Sequence, residues 1–158
     1  MFFKKKTEIE VKSSFTGKVV SLENVSDPMF SEKILGDGIA IQPQNGILYA
    51  PISGEVTMIF DTKHAIGFNT QNTITVLMHI GIDTVELEGK GFNLDIKQGD
   101  KVFAGQEIGK IDLDYIKSEK KEVVTPILIA DSPQYKINYQ KQDGEDVKAG
   151  ETIFKIVL

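Results

Sequence analysis

The sequence predicts an all-β fold: an antiparallel β-sandwich or barrel with an internal duplication and short helical turns only. Three observations lead there. Short segments of β-branched or alternating apolar residues recur along the chain, each bounded by Gly, Pro, Asn or Asp. Helical periodicity is scarce. Two stretches of sequence occur twice.

The expected strands cover residues 18–22, 38–41, 55–60, 64–70, 73–80, 102–111, 124–129 and 152–158. Segment 73–80 alternates, as a strand with one exposed face does. Residues 27–35 can form a turn or two of helix, with Pro28 at a first helical position that needs no N–H. Residues 113–120 give a second helical turn.

The duplication shows in two pairs of segments. Ser14-Phe15-Thr16-Gly17-Lys18-Val19 resembles Ala50-Pro51-Ile52-Ser53-Gly54-Glu55-Val56. Gln98-Gly99-Asp100-Lys101-Val102-Phe103-Ala104-Gly105 resembles Asp143-Gly144-Glu145-Asp146-Val147-Lys148-Ala149-Gly150. The glycines are expected where the backbone needs positive φ or a tight turn.

No long polar linker interrupts the 158 residues, so residues 1–158 read as a single domain with 1–8 as a flexible tail. The start, Met1-Phe2-Phe3-Lys4-Lys5-Lys6, has no apolar stretch after it and is not a signal sequence. No segment approaches the roughly 20 apolar residues of a membrane span, so stable membrane insertion is not expected. The net charge of −5 argues against nucleic acid as a partner. The absence of cysteine removes disulfides, zinc–thiolate sites and thiol nucleophiles, and fits a cytoplasmic protein.

The chain has two histidines, His64 and His79. If a two-residue turn at Gln71-Asn72 joins the two strands, residues 70 and 73 face each other and His64 falls directly opposite His79. Opposed Cβ atoms lie about 4.5–5.5 Å apart, within reach of one ligand. Two adjacent imidazoles suit phosphoryl transfer: a neutral imidazole is a nucleophile at cell pH, and a second imidazole or the Thr62 hydroxyl stabilises the incoming charge. They also suit zinc, with Asp83 the nearest carboxylate, although no third ligand stands out.

Further motifs extend the pattern. Leu35-Gly36-Asp37-Gly38-Ile39-Ala40-Ile41, Ala50-Pro51-Ile52-Ser53-Gly54, Thr62-Lys63-His64-Ala65, His79-Ile80-Gly81-Ile82-Asp83-Thr84-Val85-Glu86-Leu87 and Gly89-Lys90-Gly91-Phe92 follow one another along the chain. Together they resemble the glucose-family enzyme IIA of the bacterial phosphoenolpyruvate-dependent sugar phosphotransferase system, from about Ile9 to Leu158. The resemblance implies a phosphotransferase component without a cofactor. His79 matches the phosphorylated histidine, at Nε2. His64 matches the stabilising histidine, and Thr62 the hydroxyl that orients it. The implied donor is phospho-HPr. The implied acceptor is a cysteine of a IIB domain, which lies outside this cysteine-free chain. Phe30, Ile34, Ile39, Phe60 and Val85 match an apolar docking collar. Asp37 and Asp83 match acidic positions beside the active histidine, where they would favour an arginine of HPr.

The alternatives are weaker. A zinc-binding regulatory module or metallopeptidase on a similar duplicated β scaffold would place a metal at His64 and His79, but Ile80 interrupts any His-x-His signature. A lipoyl or biotinyl carrier needs a lysine in a context that Thr62-Lys63-His64-Ala65 does not supply.

Overall fold

The computed structural model describes residues 8–70, 74–130 and 132–158. Fourteen strands and two short helices are seen among them. The strands are β1 Glu8–Lys12, β2 Gly17–Val20, β3 Asp37–Pro43, β4 Ile47–Tyr49, β5 Gly54–Ile59, β6 Ala65–Asn69 and β7 Thr75–His79. They continue as β8 Phe92–Leu94, β9 Lys101–Val102, β10 Glu107–Ile111, β11 Thr125–Ile129, β12 Lys136–Tyr139, β13 Asp146–Val147 and β14 Thr152–Val157. The helices are α1 Pro28–Ser31 and α2 Leu113–Ser118. Both begin at an aspartate whose carboxylate accepts a backbone N–H of the first turn, Asp27 from Met29 and Asp112 from Tyr115.

Every strand pairing is antiparallel, as the sequence predicts. An eight-stranded sheet runs β13-β2-β3-β11-β7-β6-β5-β9, with three-stranded sheets β1-β14-β12 and β4-β10-β8 beside it. The segment expected as one strand at 102–111 is two, in different sheets, because a turn at residues 103–106 separates β9 from β10. Glu8, assigned to a tail by sequence, pairs with Val157 in β1.

The duplication is visible as matched hydrogen bonds. The order β13-β2-β3 at one end of the large sheet mirrors β9-β5-β6 at the other. Val19 N–H bonds to Glu145 O as Val56 N–H bonds to Asp100 O, and Gly144 N–H to Val19 O as Gly99 N–H to Val56 O. Gly17 and Gly54 are glycines for the same reason in both copies. A Cβ on Gly17 would lie 2.0 Å from the Gln42 carbonyl oxygen, and one on Gly54 1.9 Å from that of Asn69. Gly99, Gly105, Gly144 and Gly150 take the positive φ expected of them.

The main core lies between the sheets and includes Phe15, Ile41, Phe68, Met78, Ile127 and Phe154. A second cluster of Leu22, Val25, Phe30, Ala40, Ile82, Val124 and Leu128 brings α1 onto the outer face of the large sheet. β7 divides accordingly. Val76, Met78 and Ile80 are fully buried, while Thr75, Leu77 and His79 on the other face are partly exposed. His79 therefore stands on the outer face, beside α1.

Candidate functional site

The site forms where β7 ends and the β5–β6 connection returns beside it. Gly81 has φ 74°, and its carbonyl oxygen lies 2.7 Å from His79 Nδ1. A carbonyl only accepts, so Nδ1 carries the hydrogen and Nε2 carries the free lone pair. The turn is held from below. Thr84 donates its hydroxyl to Ile80 O at 2.5 Å, and Ile82 N–H bonds to Glu122 O at 3.0 Å.

His64 is 4 % exposed. Its ring centroid lies 4.9 Å from that of His79, with the planes at 79°. Thr62 Oγ1 is 2.6 Å from His64 Nδ1. The two histidines are also tied through the backbone, Ile80 N–H donating to His64 O at 2.6 Å. Two aromatic rings complete the walls. Phe30 lies 4.9 Å from His79 and Phe60 5.3 Å from His64.

The histidines meet by a route the sequence did not predict. The register pairs Ala65 with His79, Ile66 with Met78 and Phe68 with Val76. That is one residue away from the expected pairing of His64 with His79. The turn expected at Gln71-Asn72 lies outside the described residues, but Thr70 N–H bonds to Ile74 O, so the strands close three residues apart rather than two. His64 precedes β6, after Lys63 at φ 60°, and is therefore not bound by the strand's alternation.

Burial holds the His64 imidazole down at about 4, and the adjacent His79 adds to this. Burial also lowers His79, opposed by the Gly81 hydrogen bond and by the charges of Asp27 and Asp83. Both rings are consequently neutral at pH 7.

Several expected site residues stand elsewhere. Ile39 is buried in the main core and offers nothing to a partner. Phe30 is 2 % exposed, and forms a wall against His79 rather than an exposed collar. Ile34, Phe60 and Val85 are exposed, at 59 %, 42 % and 48 %. Asp83 acts on His79, but Asp37 does not. Asp37 stands two strands away, at the far end of β3, where it accepts from the Tyr139 hydroxyl and pairs with Lys33. Its place follows from the duplication. Lys18 pairs with Gln42 as Glu55 pairs with Asn69, so Asp37 is the repeat counterpart of His64, and Leu128 that of His79. Only one copy carries the imidazoles. The carboxylate that sequence reasoning missed is Asp27, and its signal was the Asp-Pro pair that starts α1.

Among the described residues, no group of three or more His, Cys, Asp or Glu converges to hold a metal. No helix among them is long and apolar enough to cross a membrane.

Residues 9–135 match the family model described as phosphoenolpyruvate-dependent sugar phosphotransferase system, EIIA 1. The chain belongs to this family. Its role is that of a phosphocarrier, a phosphotransferase component of that system. It is 40 % identical over 136 residues to the PTS system glucose-specific EIIA component of Halalkalibacterium halodurans, covering 86 % of this chain and 78 % of that protein. The glucose-specific EIIA component of Staphylococcus epidermidis is 38 % identical over 144 residues, 91 % of this chain and 86 % of its own. The glucose-specific EIICBA component of Staphylococcus carnosus is 49 % identical over 113 residues, and the match spans only 17 % of that longer protein. Among solved structures, the glucose permease IIA from Mycoplasma capricolum superposes with a TM-score of 0.88 at 32 % identity, over 98 % of this chain and 99 % of that one. The structural match agrees with the antiparallel β architecture, and none of these relatives supports the zinc alternative.

Proposed function

We propose that this EIIA carries the phosphoryl group on His79 Nε2, with His64 as the group that stabilises it. The observation that carries the reading is the Gly81 carbonyl on His79 Nδ1, which leaves Nε2 as the nucleophile next to the second imidazole. The donor is phospho-HPr. Nε2 attacks phosphorus as the donor's N–P bond breaks, and the donor imidazole regains its lone pair. The acceptor is a cysteine thiolate of a IIB domain, whose S–P bond forms as the His79 N–P bond breaks.

In this reading the Thr62 hydroxyl donates to His64 Nδ1, so His64 Nε2 presents a hydrogen toward the phosphoryl oxygens. A donor held in place before charge arrives stabilises it without reorganisation. No cofactor is required. Phe60, which packs against His64, and the exposed Ile34 and Val85 supply apolar contact for both partners, while Asp27 and Asp83 attract a basic group on the donor. The glucose-specific names of the relatives support glucose as the sugar served and a IIB partner that is fused or separate. Access to phosphoenolpyruvate-derived phosphoryl groups implies a cytoplasmic location. Incubation with phosphoenolpyruvate, enzyme I and HPr tests the reading. Acid-labile, alkali-stable label is expected on His79, and label elsewhere or none refutes it.

A further inference from the structure

The β5–β6 connection carries a conformation that its sequence does not favour. Residues 60–63 make a tight turn, Lys63 N–H bonding to Phe60 O at 2.7 Å, and Phe60 N–H bonds to Ala65 O at 3.0 Å across it. Lys63 follows in the left-handed region at φ 60°. Hairpins built on such a turn use a left-handed residue at this point, and glycine is the residue that adopts it without steric cost. In the other copy of the repeat the counterpart of Lys63 is Gly36, which takes a different positive φ of 139° where a Cβ would lie 2.2 Å from the Ile129 carbonyl oxygen, so the left-handed turn belongs to the copy that carries the histidines.

The consequence falls on the next residue. Ile66 and Phe68 are fully buried in the main core, and a strand continued backwards with normal alternation would send the side chain of residue 64 to that same face. His79 lies on the opposite face. His64 nevertheless meets His79 and takes Thr62 on its Nδ1.

We infer that Lys63 is a positioning residue for phosphoryl transfer, and that its left-handed backbone, not its charge, turns His64 out of the strand alternation and onto His79. The inference rests on His64 acting as the stabilising group. A bulky β-branched residue at 63 resists the left-handed region, whereas glycine and asparagine accept it. The side chain of Lys63 itself is exposed and runs past Gly89 at the rim.

The test compares Lys63→Gly, Lys63→Asn and Lys63→Val in the full chain, by NMR titration of the His64 imidazole and by the rate of transfer to a IIB domain. Lys63→Gly and Lys63→Asn remove the charge and keep the backbone. Both are expected to transfer within about twofold of wild type, with the His64 titration unmoved. Lys63→Val is expected to accept phosphoryl groups normally, to lose at least about tenfold in transfer, and to shift the His64 titration up toward the ordinary histidine range. Should Lys63→Val fail to fold, Lys63→Ala replaces it, with a smaller shift in the same direction. Wild-type titration in the valine or alanine variant overturns the inference, and so does equal loss of transfer in the glycine and asparagine variants. His64→Gln is the control: if it transfers at the wild-type rate, the role of His64 is refuted, while the titration still reports whether residue 63 places the ring.

Discussion

The imidazoles of His64 and His79 stand 4.9 Å apart although strand pairing sets Ala65, not His64, opposite His79. The contact is made by a turn that departs from the sheet. The two rings therefore depend on different supports: His79 on the end of β7 and the Gly81 carbonyl, His64 on Thr62 and the turn before β6.

Unequal support implies unequal mutational effects. His64→Gln keeps the nucleophile and removes the imidazole that faces it. It is expected to accept phosphoryl groups from phospho-HPr and to pass them to a IIB cysteine about 10²–10³-fold more slowly, the effect of losing one preorganised donor. Single-turnover transfer from the isolated phosphoprotein measures this.

Thr62→Val keeps the shape and deletes the hydroxyl 2.6 Å from His64 Nδ1. Without it either tautomer of His64 is open, and Nε2 no longer presents its hydrogen reliably. Transfer to IIB is expected to fall about tenfold, as for other ligand-orienting groups, with phosphorylation by HPr near wild type.

Gly81→Ala attacks the other support. The new methyl group would lie 2.6 Å from Thr84 Cγ2 and 2.7 Å from Glu122 O, at a φ of 74°. The expected cost is about 1–3 kcal/mol of stability, read as a lower melting temperature. The Gly81 carbonyl must shift as well, so phosphorylation of His79 is expected to slow, unlike in Thr62→Val.

The pH dependence has a definite sign. Burial lowers both imidazoles, His64 to about 4, so the folded protein refuses protons that the unfolded chain accepts near 6.5. Above pH 6.5 both states are neutral and the histidines add no pH dependence. Below it the unfolded state gains protons and stability falls, the share from His64 reaching roughly 3 kcal/mol and levelling off near pH 4. Denaturant melts between pH 8 and 4 measure this, and replacing His64 with Gln should flatten the curve. Burial lowers His79 too, so phosphoryl acceptance should fall off at a lower pH than for an ordinary histidine, read from the pH profile of the phosphorylation rate.

The long strands were legible because buried antiparallel strands show as runs of apolar residues, and β11 has both faces covered along its whole length. The duplication was legible because Gly17 and Gly54 meet the same steric demand. The edge pieces were not. β12 is mostly exposed and β13 has only two residues, so neither shows as an apolar run. The histidine pair was found through a register one residue out, because Gln71-Asn72 does not specify loop length and a single extra residue reverses the facing set. The surface was the least legible. Asp37 and Ile39 sit in the Leu35–Ile41 stretch that carries part of the family resemblance, but the carboxylates that act on His79 are Asp83 and Asp27, the second brought there by packing of α1 across the sheet. The Asp27-Pro28 pair signals where α1 starts but not the strand it packs against.

Everything above turns on His79 Nε2 as the phosphoryl carrier. The direct measurement is label transferred from phosphoenolpyruvate through enzyme I and HPr onto wild type and His79→Gln. Stoichiometric acid-labile, alkali-stable phosphate is expected on wild type and none on His79→Gln, whose folded state is unchanged. Full labelling of His79→Gln would contradict that role.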